Sequence, residues 1–138
     1  MCWTIDKEVF DKNPESYHKI ADEDIFVYKI GEEKGGKFFP FYMSHFAYYA
    51  NSLNEEIKLF CKISLSEDGT YEKIINKGYH SYSGRDMVFV SINSDVFLST
   101  IFYQFKTLSI CKFIIPKGTE YYENDNGEIV SSQLIWIG

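Results

Sequence analysis

The sequence predicts a single α+β domain over 1–138, mainly antiparallel sheet with one or two short helices. Three observations predict it. Short apolar and aromatic runs recur with turn signals between them, which is the pattern of strands. Aromatic residues make up 18% of the chain, chiefly Tyr and Phe, whose flat rings pack across strands. Asn124-Asp125-Asn126-Gly127 is a strong hairpin signal. A chain of 138 residues can bury a real core, and no repeat, low-complexity tract or linker divides it.

The elements follow in order. Asn13-Pro14 marks a turn, and Glu15–Ala21 reads as a short helix. Ile25–Ile30 is a strand, followed by a charged, glycine-bearing loop over Gly31–Lys37 suited to a hairpin or lid. Phe38–Tyr42 is aromatic, and Pro40 restricts it to an edge strand or ordered loop. Ser44–Leu53 predicts a helix capped by Ser44, with Phe46, Tyr49 and Leu53 on one face. Ile57–Ile63 alternates as a half-buried strand, and Glu67–Thr70 is a turn before a strand over Tyr71–Ile75. Gly78–Ser83 and Met87–Ile92 read as two strands around Ser83-Gly84-Arg85-Asp86. Ser94–Phe105 fits helix or strand, Thr107–Ile115 is a strong strand, and Ile129–Ile137 reads as a closing central strand.

Composition excludes several classes. A net charge of −6 argues against generic nucleic-acid binding, which needs a basic stripe to displace counterions. Cys2, Cys61 and Cys111 are widely spaced, with no metal-binding pair, and read as small apolar residues of a reduced compartment. The N-terminus lacks the pattern of a signal peptide. Val96–Ile115 is broken by Gln104, Lys106 and Lys112 and is no membrane span. The expectation is a soluble, cytoplasmic protein without a membrane association or a metal. His18 and His45 lack carboxylate or cysteine partners at ligand spacing. No Gly-x-Ser-x-Gly elbow and no phosphate-binding glycine loop is present.

The polar residues worth following lie in and around Gly78-Tyr79-His80-Ser81-Tyr82-Ser83. Strand alternation sets Tyr79, Ser81 and Ser83 on one face and His80 and Tyr82 on the other. Ser81 and Ser83 could face a ligand with His80 assisting, or the hydroxyls could pair with neighbouring strands. Arg85 is the only arginine among 14 basic residues, and is either a placed anion contact or a loop residue. Tyr42, Tyr48, Tyr49, Tyr121 and Tyr122 suit the core and its rim, or a base-stacking pocket, or a protein interface that could make a homo-oligomer. Glu120–Glu128 has four acidic residues in nine, which fits a solvated hairpin tip.

Two resemblances rest on these segments. Lys19-Ile20-Ala21, Val27-Tyr28-Lys29, Lys77-Gly78-Tyr79-His80-Ser81-Tyr82 and Ile115-Pro116-Lys117-Gly118-Thr119-Glu120-Tyr121-Tyr122 resemble a family of small uncharacterised phage and gut-bacterial proteins. More remotely, Lys29, Ser81-Tyr82-Ser83 and Ser131-Ser132-Gln133 are similar in order to the arginine, serine and glutamate motifs of the ADP-ribosyltransferase fold. That resemblance implies a dinucleotide cleft, with Lys29 at the phosphate-binding arginine and Gln133 at the catalytic glutamate. Lysine offers a point charge instead of a fork, and glutamine cannot stabilise the cation that forms as nicotinamide leaves. The expectation is therefore a non-catalytic binding protein without a cofactor, acting against a host defence component. Its partner would be a host protein or a nucleotide-derived ligand, held by Lys29, His80, Ser81, Ser83, Arg85 and Gln133. The alternative is an ADP-ribosyltransferase-like enzyme using an NAD-like dinucleotide, and the next is a structural, self-assembling protein.

Overall fold

Residues 3–6, 17–40, 47–65, 71–75, 77–92 and 109–138 are described by a computed structural model. Their strands are β1 (Trp3–Asp6), β2 (His18–Ile20), β3 (Ile25–Lys34), β4 (Lys37–Pro40), β5 (Tyr48–Tyr49) and β6 (Lys62–Leu65). After β7 (Tyr71–Ile75) and β8 (Tyr79–Tyr82) comes the helix α1 (Arg85–Ile92). The chain then runs through β9 (Ser109–Ile115), β10 (Glu120–Glu123), β11 (Glu128–Ser131) and β12 (Ile135–Trp136). Every strand pair is antiparallel, so the described residues form a sheet-rich α+β fold.

The long strand β3 organises the larger sheet. On one edge it pairs with β9 along Ile25–Gly31. On the other it meets β8 only at Tyr28–Tyr82, and from Gly31 onward it pairs with β4. Gly35 and Gly36 make the β3–β4 turn at φ 62° and 77°, the left-handed conformation that a two-residue hairpin needs and glycine reaches without strain. The strands then close a ring. β4 pairs with β5, β9 pairs with β12, and a parallel bridge joins Ala50 to Trp136. The Asn51 N–H donates to the Trp136 carbonyl at 2.7 Å, securing the closure.

Aromatic packing fills this ring. Phe38 stands edge-on to Phe113 at 5.0 Å, Tyr48 edge-on to Phe113 at 5.1 Å, and Trp136 lies 5.9 Å from Phe38. Such edge contacts place the positive rim of one ring on the negative face of another. Val27, Ile115, Tyr79, Ile129 and Tyr121 extend the same core along the arm β8-β11-β10-β2. The opposite face of the arm carries Val130, buried with Leu59, Ile75 and Tyr17. Ile75 belongs to the three-stranded sheet β1-β7-β6, which packs there.

Several expectations need correction. The predicted helix over Ser44–Leu53 is contradicted where it is described: Tyr48–Tyr49 is a strand, and Asn51 turns left-handed at φ 58°. Pairing with β4 and the burial of Tyr48 in the ring override the helical spacing. Conversely Met87–Ile92 is helix, not strand. Ser83-Gly84 bends out of β8, and Asp86 favours the positive end of a helix over the β-branched run that follows. Ile129–Ile137 is not one central strand: it breaks at Ser132–Leu134, where the Ser132 N–H turns to the Glu120 carbonyl at 3.0 Å. The chain then crosses from the arm to the ring.

Ile57–Cys61 keeps an alternating burial but forms no ladder, and the strand begins only at Lys62. Within Glu15–Ala21, Tyr17 is helical, while His18–Ile20 is strand. The expected Gly31–Lys37 loop is the end of β3 and its turn. Tyr71–Ile75 and the Asn124–Gly127 hairpin stand as expected. The turns at Asn13-Pro14 and Glu67–Thr70, residues 44–46 and Ser94–Phe105 lie outside the described residues.

Candidate functional site

The candidate site forms where the arm leaves the ring. The Ser83 N–H donates to the Gly127 carbonyl, so the odd-numbered backbone groups of β8 turn toward β11. The even-numbered ones turn toward β3. Tyr82 finds Tyr28 there, but β8 then diverges and His80 has no backbone partner on β3. The Lys29 ammonium takes that place by donating to the His80 carbonyl. In the register set by Tyr28–Tyr82, Ser81 is the residue of β8 that faces Lys29. Sequence position, strand divergence and site are thus one feature.

Lys29 is poorly compensated. Burial lowers its pKa from the usual lysine value to about 8, and no carboxylate among the described residues offsets that loss of hydration. Its ammonium lies 5.7 Å above the Tyr48 ring, a contact that returns part of the solvation. Across from it in the strand register, the Ser81 hydroxyl is buried with no hydrogen-bond partner among the described residues, in a residue only 1% exposed. A buried hydroxyl normally has a partner, and leaving one unmade costs about 1–3 kcal/mol.

The wall of the site is aromatic. Tyr48 and Tyr79 stand 6.2 Å apart, and the Tyr79 hydroxyl donates to the Glu55 carbonyl at 2.6 Å. Burial, with Tyr79 alongside, raises the Tyr48 phenol pKa; burial and Glu55 do the same for Tyr79. Both phenols therefore stay neutral near pH 7. Opposite Lys29 on β9, Cys111 donates its thiol proton to Glu33 at 3.1 Å, and burial pushes the thiol pKa up to about 11. The site thus brings together the Lys29 ammonium, two phenols and a thiol held by the Glu33 carboxylate.

The remaining candidate residues separate. His80 gives its carbonyl to Lys29, while its imidazole lies on the other face, across from Val130. Its Nε2 is buried without a partner among the described residues. Burial first, and the Lys29 charge second, lower its pKa to about 4. Ser83 lies past the end of β8 and is exposed beside the hairpin, so it does not share the buried position of Ser81. Arg85 projects from the start of α1 over the Tyr28 ring at 5.6 Å, again on the face away from Lys29. Gln133 is half-buried in the turn between β11 and β12 and makes no hydrogen bond to Lys29, Ser81 or His80 among the described residues.

No family model, curated protein or solved structure matches the chain. Function is therefore read from the residues themselves. Of the six candidates, Lys29 and Ser81 come together, with His80 joining through its backbone. Sequence reasoning missed Tyr48 under Lys29, and Cys111 across from Lys29 with its acceptor Glu33. The alternation of β3 carries a signal for Glu33, which lies two steps of period two beyond Lys29. Among the described residues no group of three or more His, Cys, Asp or Glu could hold a metal ion. No helix among them is long and apolar enough to cross a membrane.

Proposed function

We propose that this protein is a non-catalytic binding protein that holds a nucleotide-derived anion at Lys29 and Ser81. One observation carries the reading: a buried ammonium with no ion-pair partner among the described residues lies across the strand register from a buried hydroxyl that has no hydrogen-bond partner among them. An anionic oxygen bound there would neutralise the first and accept a hydrogen bond from the second. The tyrosine wall suits the flat, partly apolar remainder of a nucleotide. The ADP-ribosyltransferase-like order of Lys29, Ser81 and Gln133 supports a nucleotide over other anions. Gln133 supports holding over turnover, because a neutral amide cannot stabilise an oxocarbenium-like charge. In the phage setting that the other resemblance implies, the protein would sequester a nucleotide signal used by a host defence.

The experiment is a thermal-shift and calorimetric screen over ADP-ribose, NAD and linear and cyclic dinucleotides. A ligand at 100 times its Kd adds about 2.7 kcal/mol to stability, a shift that is easily read. Binding should be abolished in Lys29→Met and weakened in Ser81→Ala. Consumption of labelled dinucleotide by the wild type, lost in Ser81→Ala, would replace this reading with the enzyme. Silence across the panel would move the function to a protein partner. Leu53 and Phe60, 58% and 68% exposed on the connection before β6, would be the first surface to test.

A further inference from the structure

The two faces of the larger sheet are treated differently along its length. The three-stranded sheet packs over the face bearing Val130. At β3 and β9 the same face presents Phe26, 54% exposed, and Tyr28, Ile110 and Ile114, half-buried. Phe26 and Tyr28 are two residues apart on one strand, so their rings emerge on one side roughly 6.6–6.8 Å apart. Each ring has a cation beside it. Lys112, directly across from Tyr28, reaches diagonally over Phe26 at 4.7 Å, and Arg85 lies over Tyr28 at 5.6 Å. Ile135 continues the apolar row onto β12 across from Ile114, and Glu32 bounds it at the β4 end.

From this arrangement we infer that the Phe26–Tyr28 face is a stacking platform for a short single-stranded nucleic acid. It lies on the opposite side of the sheet from Lys29 and does not depend on the site proposed there. Open antiparallel sheet faces with neighbouring aromatic rings suit unpaired bases, because every base has a π-face and the rings are already rigid. Magnitudes decide between the bound and free arrangements of the cations. An exposed cation–π contact is worth about 0.5–1 kcal/mol, whereas a base stacked on an aromatic ring is worth about 1–3 kcal/mol. A base therefore displaces Lys112 from Phe26, and the released ammonium meets the adjoining phosphate. Arg85 does the same beside Tyr28, with a planar fork that fits phosphate oxygens. An acidic peptide would use the two cations but not the two flat rings. The chain's net charge of −6 favours a platform of only a few nucleotides.

The test is fluorescence anisotropy of labelled decathymidylate and deca-adenylate with the full chain, repeated over a salt series. Both oligomers should bind. The logarithm of affinity should fall with the logarithm of salt at a slope of about −1.4, as two neutralised phosphates on a single strand give. Phe26→Ala should weaken binding on the order of tenfold, and Lys112→Gln should reduce the slope by about 0.7. Both residues are exposed, so circular dichroism should show each variant folded. Phe60→Ser, at an exposed position on the connection before β6, should bind as the wild type does. Failure of both oligomers to bind, or binding that Phe26→Ala leaves unchanged, would overturn the inference. So would a mononucleotide that binds as tightly as the decamer, or an acidic peptide that binds tighter than either oligomer.

Discussion

The hairpin at Asn124–Gly127 and the opening at Lys29–Ser81 are both polar, part-buried and next to β8, yet they treat their polar groups in opposite ways. In the hairpin each group has a partner nearby. The Asn124 carboxamide oxygen accepts from the Asn126 and Glu128 N–H groups, both at 3.0 Å. Its amide nitrogen donates to the Glu128 carboxylate at 3.1 Å, and the Tyr17 hydroxyl holds Asp125 at 3.1 Å. At the opening the Ser81 hydroxyl has no partner among the described residues, nor does His80 Nε2 on the opposite face of the same strand, and no ion pair among them compensates the Lys29 charge. The difference teaches that this chain can satisfy buried polar groups when they serve the fold alone. At the strand divergence it leaves buried polar groups unsatisfied among the described residues, and the proposed binding rests on that contrast.

Acid should break the comparison most strongly. The folded-state pKa of His80 is about 4, below that of an unfolded histidine, so the unfolded chain takes up the proton first. Stability is therefore lost as pH falls from about 6.5 towards 4, by at most about 3 kcal/mol from this group. Carboxylates titrate in the same window, so the quantity to measure is the difference between the wild type and His80→Leu in urea unfolding at pH 7 and pH 4.5. The variant should lose distinctly less stability on acidification. An equal loss would mean that the imidazole reaches solvent.

Next in size is the hairpin itself. Asn124→Ala removes three side-chain hydrogen bonds in a residue 8% exposed, and should cost about 2–3 kcal/mol. Equilibrium denaturation reads this directly, and a loss below about 1 kcal/mol would remove the contrast with Ser81. Lys29 follows. Its folded-state pKa of about 8 lies below the unfolded value, so stability should rise with pH above 8. Up to pH 9.5 the gain is at most about 2 kcal/mol, measured as wild type minus Lys29→Met because the tyrosines titrate nearby. A bound anion should abolish the rise by returning the lysine to its charged form.

How much of this was legible in the sequence depends on what sets each residue. Local chemistry was legible: Asn124–Gly127 folds as a hairpin because its own side chains and glycine make the turn. Alternation was legible too, and put Tyr79 with Ser81 and His80 opposite them. What failed depended on distant strands. Tyr48 is strand because Phe38 and Phe113 await it in the ring, and no residue near Tyr48 announces that. Val88 is helical because the chain must turn out of β8 at Ser83-Gly84, against its own β-branched preference. Lys29 was a candidate on motif order alone. Its position follows from the divergence of β8 from β3 beyond Tyr28–Tyr82, which only the topology reveals.

Ser81→Ala has the smallest expected effect on stability and separates the two regions most cleanly. A hydroxyl with a native partner costs stability when removed, because the partner is orphaned as well. The Ser81 hydroxyl has no such partner among the described residues, so its removal relieves a buried polar group without stranding another. The change in stability should lie within about 0.5 kcal/mol of zero or be stabilising, opposite in sign to Asn124→Ala. The same substitution should weaken nucleotide binding several-fold. A stabilised protein that binds less well is what a residue held for its ligand produces. Destabilisation of about 1 kcal/mol or more would instead assign Ser81 to the fold, and the contrast between opening and hairpin would disappear.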